Sequence, residues 1–96
     1  MLSARELTID DFSGRLGKAL ETEAGGHRVP LVLEAVQALP SSGRQGGSFR
    51  VELRGPLDLM LGQGIFPFKI GRETFGIFIV PLSRDPQGVR YEAIFY

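Results

Sequence analysis

Ninety-six residues suffice for one small domain, and zero formal net charge, from 11 basic and 11 acidic side chains without a like-charged run, argues against nucleic acid or an anionic membrane surface as partner. The absence of cysteine excludes a disulfide scaffold, a thiolate metal site and a cysteine nucleophile, and the absence of asparagine excludes N-glycosylation. No stretch has the length or apolarity of a signal peptide or a membrane span, so a cytoplasmic, soluble domain is expected.

At the start, Thr8 is placed to cap a short helix. Asp10 and Asp11 fall in its first turn, where the exposed N–H groups favour carboxylates. Ile9, Phe12, Leu16, Ala19 and Leu20 keep helical spacing, but Gly14 and Gly17 interrupt it, so the helix is expected to end near Ser13. Residues 18–23 then read as a polar edge strand, and Gly25-Gly26-His27-Arg28 as a turn. Residues 29–39 are rich in Val and Leu. Pro30 suits a first strand position or an edge, whereas Leu, Glu and Ala over 31–39 also suit a helix. The Pro, Ser and Gly content of 40–47 predicts a mobile, cleavable loop.

Residues 48–54 form the clearest strand, with Phe49, Val51 and Leu53 alternating against Ser48, Arg50, Glu52 and Arg54. Residues 57–61 are expected to make a short helical turn, closed by Gly62-Gln63-Gly64. Next, 65–70 and 73–82 flank Gly71-Arg72, a pair that suits a type II′ hairpin turn. That turn sets a register. Phe68 lies opposite Phe75 and Phe66 opposite Ile77 on one face, and Ile65 meets Phe78 on the other. Asp85-Pro86-Gln87-Gly88 has type I turn chemistry and leads into a last strand over 89–96. Five to six strands without a strand–helix–strand rhythm imply a mainly β fold, a small antiparallel barrel or sandwich with a short N-terminal helix.

Seven of the nine aromatic residues lie in the last third, where residues 75–82 are apolar on both faces. Phe75, Ile77 and Ile79 point one way; Phe78, Val80 and Leu82 point the other. Either the N-terminal helix and the 57–61 turn cover the second face, or it meets another chain. Phe78, Val80, Leu82 and Tyr96 are therefore the candidate interface residues.

Catalytic chemistry has little to stand on. His27 is the only histidine and has no partner at a recognisable spacing, so it reads as a solvated loop residue. Gly62-Gln63-Gly64 lacks the Lys-Ser/Thr and helix of a phosphate loop. Ser83 has no histidine near it and suits a turn. No catalytic residue, cofactor or metal is implied.

Several segments in order carry a family resemblance: Leu7-Thr8-Ile9-Asp10-Asp11-Phe12, Arg54-Gly55-Pro56, Gln63-Gly64-Ile65-Phe66, Phe78-Ile79-Val80-Pro81 and Gly88-Val89-Arg90-Tyr91-Glu92-Ala93-Ile94-Phe95. Together they resemble a family of bacterial single-domain proteins of about this length, known only as a domain of unknown function. The resemblance implies a bacterial source and an accessory or assembly role near phage-tail-type proteins, with no catalytic residues to carry over. The expectation is a non-enzymatic structural domain that binds a protein partner or itself. The alternative is a small-molecule-binding or enzymatic barrel with a pocket lined by Phe66, Phe68 and Phe75.

Overall fold

A computed structural model describes residues 2–40 and 47–96; most of the loop expected at 40–47 lies outside them. The elements are α1 (Asp10–Ser13), β1 (Ala19–Ala24), β2 (His27–Ala38), β3 (Phe49–Gly55), β4 (Gly64–Ile70), β5 (Glu73–Asp85) and β6 (Gly88–Phe95). The six strands close into an antiparallel barrel in the order β1-β2-β3-β6-β5-β4. The fold is therefore a barrel rather than an open sandwich.

Two long strands turn its corners. β2 pairs with β1 up to Val32 and with β3 from Val32 onward, with a bulge between Leu33 and Ala35. β5 pairs with β4 up to Ile79 and with β6 from Val80 onward, with a bulge between Pro81 and Ser83. Each bulge adds one unpaired residue, Glu34 or Leu82, and a local bend just past the change of partner. The same geometry accommodates Pro30, which lies inside β2 and not at its first position. There β2 has a strand partner only on the β1 side, so the missing N–H is not needed by a second neighbour.

Period-2 patterning fills the barrel. Leu20, Leu31, Leu33, Val51, Leu53, Phe68, Phe75, Ile77, Ile79 and Tyr91 are buried. The Gly71-Arg72 hairpin has the expected register, with Phe68 opposite Phe75, Phe66 opposite Ile77 and Ile65 opposite Phe78. Gly71 takes φ +64° while no described non-glycine residue has positive φ, as a type II′ turn requires. Phe68 and Phe75 belong to the packed core, and Phe66 is half-buried beside it.

Several expectations need correction. Residues 29–38 are strand, so the helical alternative fails: their apolar side chains are drawn into cross-strand pairs that outweigh local propensity. The chain turns on Gly25-Gly26 alone, and His27 and Arg28 already pair in β2. β1 is not an edge, because it sits between β2 and β4, though Thr22 opposite Phe68 is the one β4 partner it has. Residues 57–61 make a turn without helix. Five residues between Pro56 and Gly62 are too few to repay helix nucleation, and the Leu61 N–H donates instead to the Tyr91 hydroxyl at 2.8 Å.

α1 also differs in detail. Its N-cap is Ile9, with no side-chain cap bond. The Thr8 N–H and hydroxyl both donate to the Asp11 carboxylate, at 2.7 and 3.3 Å, because the carboxylate is the stronger acceptor. A four-residue helix has no stability of its own. It is held by Phe12, which is buried against Phe49 and Phe95 with ring centroids 5.7 and 5.6 Å away. α1 thus plugs the barrel at the Phe49–Phe95 end and does not cover the outer face of β5.

Candidate functional site

The outer wall has two chemically distinct halves. Over β2, β3 and β6 it is charged and internally satisfied. Glu52 lies directly opposite Glu92, and Arg54 directly opposite Arg90. Like charges so placed repel. Arg50 resolves the first pair, donating to Glu92 at 2.7 Å and to Glu52 at 3.0 Å. Those bonds, to Glu52 first and then Glu92, hold the Arg50 guanidinium above its ordinary pKa. Glu34 resolves the second pair, accepting from Arg54 at 2.8 Å and from Arg90 at 3.3 Å. It is the extra residue of the β2 bulge, so the bend that shapes the barrel also delivers this carboxylate. Asp85 adds a further contact to Arg90 at 3.2 Å. The backbone N–H of Gln87, and then Arg90, keep Asp85 below the usual carboxylate range.

Over residues 65–67 of β4 and 76–80 of β5 the wall is apolar, with Lys69 paired to Thr74 just beyond. Ile65 and Phe78, cross-strand partners, are 71% and 48% exposed. Val80 is half-buried on the same face, and Ile94 of β6 is also exposed. Gly76 leaves the strip low: a Cβ there would lie 3.2 Å from both Ile65 Cγ2 and Leu2 Cδ1. The N-terminal residues reach this strand by a Ser3 N–H bond to the Thr74 carbonyl at 2.7 Å. Arg5 then bridges Asp11 and Glu73, with contacts of 3.0 Å to each, and lies 5.1 Å from the Phe75 ring centre. Hydrogen bonds from Arg5 come first in holding both carboxyls below their ordinary values.

The four candidate interface residues are therefore not one surface. Phe78 and Val80 share the apolar wall. Leu82 is the bulge residue of β5, so its alternation with Phe78 and Val80 is broken, and it lines a groove with Met60. Tyr96 follows the end of β6 and is exposed. Sequence reasoning missed Ile65 as a wall residue, although the Gly71 turn already placed it beside Phe78.

A second groove, of about 230 Å³, crosses the thinly paired β1–β4 seam, lined by Glu21, Glu23, Arg28, Lys69 and Thr74 among others. The Thr22 hydroxyl at its base already donates to the Pro67 carbonyl at 2.6 Å. His27 is exposed at the start of β2. Among the described residues no group of three or more His, Asp or Glu is placed to hold a metal ion, and no helix is long and apolar enough to cross a membrane.

Residues 7–95 match the family model described as Domain of unknown function (DUF6916). The chain belongs to this family. In the DUF6916 barrel the matched span runs from Leu7, which is buried, through Phe95, and so takes in α1, all six strands and the apolar wall. No curated protein and no solved structure matches the chain.

Proposed function

We propose that the chain is a non-enzymatic assembly domain that joins a protein partner through the apolar wall of β4 and β5. The observation that carries this is the exposed cross-strand pair Ile65–Phe78, with the half-buried Val80 next on the same face of β5. Half of the wall is spent on a closed charge network, which leaves the apolar half as the surface with something to gain from burial. A partly exposed Phe and Ile contribute about 25 cal/mol for each Å² of apolar area that a partner removes from water.

The contact is made by side chains on the wall, not by strand addition. Residues 80–85 of β5 have a strand partner on the β6 side only, but Pro81 lacks a donor and Leu82 is a bulge. Both features block edge pairing. The setting, an assembly of the phage-tail type in bacteria, is supported by the resemblance of the ordered motifs.

The experiment is co-purification of the tagged chain with the products of its flanking genes, beside light scattering of the chain alone. A defined complex, or a dimer, that is lost in Phe78→Asp supports the reading. A strict monomer that retains no neighbour's product refutes it.

A further inference from the structure

The groove at the β5 bulge has a composition the apolar wall lacks. It is lined by Met60, Pro81, Leu82, Ser83, Arg84 and Val89 and measures about 240 Å³. Met60 is 57% and Leu82 49% exposed, so its apolar rim is open to solvent. Leu57 and Leu59, on the same connection as Met60, are exposed as well. One cation stands in this lining. Arg84 makes no ion pair among the described residues, as is also true of Arg28, Lys69 and Arg72, but it is the one of these that lines this apolar groove. An apolar groove beside a guanidinium without a counter-charge is complementary to a ligand that is apolar and carries one carboxylate. Pro81 has no N–H to offer, so the groove reads side chains and not an added strand.

We propose that this groove binds a short acidic–apolar segment of a partner polypeptide. One apolar side chain seats between Met60 and Leu82 over Val89, and a neighbouring carboxylate pairs with Arg84. The proposal rests on the reading of the chain as an assembly domain but uses a different surface, so the two fail separately. Phe78→Asp tests the wall, and Leu82→Asp and Arg84→Gln test the groove.

The test selects random dodecapeptides displayed on phage against the immobilised whole chain, then measures resynthesised peptides by fluorescence anisotropy. Enriched peptides are expected to carry an acid beside a large apolar residue. Replacing the acid with its amide should weaken binding to the wild type at least tenfold and leave binding to Arg84→Gln unchanged. Arg84→Glu should select basic peptides instead, and Leu82→Asp should abolish binding while Phe78→Asp does not. Arg84 has no internal ion pair, so its variants report even where Leu82→Asp fails to fold. Several outcomes overturn the proposal: no enriched peptide, no preference for an acid, or an acid preference that survives Arg84→Gln. It is equally overturned if the groove's occupant proves to be a second copy, shown by self-association lost in Leu82→Asp, or an anionic lipid vesicle.

Discussion

Two positions show how single residues tie the barrel together. The Tyr91 hydroxyl is buried and accepts the Leu61 N–H, which fastens the irregular 56–63 connection to β6. Tyr91→Phe leaves that buried donor without a partner, so unfolding free energy should fall by roughly 1–3 kcal/mol, read from urea denaturation. Gly88 sits at φ +148° where β6 begins, and a Cβ there would overlap the Gly55 carbonyl oxygen. That neighbour is backbone and cannot step aside, so Gly88→Ala should cost about 2–3 kcal/mol in the same assay. Neither position was marked in the sequence as more than a turn or a strand residue. Gly88 was legible as turn chemistry, but its close approach to β3 comes from a pairing between strands more than thirty residues apart.

At the scale of elements, the N-terminal arm is fastened to β5 by charge. Arg5 lowers the folded-state values of Asp11 and Glu73 below those of the unfolded chain. A depressed carboxyl contributes stability that is complete above the unfolded value, about 4, and is lost as pH falls through the folded value. Arg5→Gln should therefore lower the urea midpoint at pH 7, with the gap to the wild type closing below about pH 4. A gap that stays constant to low pH would show that Arg5 acts by packing on Phe75 alone. The Glu34 bulge makes a parallel case. Glu34→Ala leaves Arg54 opposite Arg90 without a shared carboxylate, and should cost about 1 kcal/mol at low salt and less at high salt. Local turns and alternation made the β4–β5 hairpin readable, down to the pairing of Ile65 with Phe78. The bulges at Glu34 and Leu82 were not readable, because nothing local distinguishes Leu33-Glu34-Ala35 from continuous strand. They arise where β2 and β5 change partners, which is a property of the closed barrel.

For the whole molecule, the aromatic bias of the last third resolves into an inside and an outside. Phe68, Phe75 and Tyr91 are core, and Phe95 completes a cluster with Phe12 and Phe49, stacked on Phe49 at 4.6 Å. Those two partners lie upstream of the last third of the chain, so the cluster could not be seen from the aromatic block alone. Ile65 and Phe78 remain outside. Packing and wall should separate in mutants. Ile79→Ala, in the core, should cost 2–5 kcal/mol, while Phe78→Asp should change stability by about 1 kcal/mol or less. The measurement that bears most directly on the assembly reading is hydroxyl-radical footprinting of the isolated chain and of the complex recovered with the tagged chain. Oxidation of Ile65 and Phe78 is predicted to drop sharply in the complex while Lys69 and Arg72 keep theirs. Equal oxidation of Ile65 and Phe78 in the two samples would contradict the account.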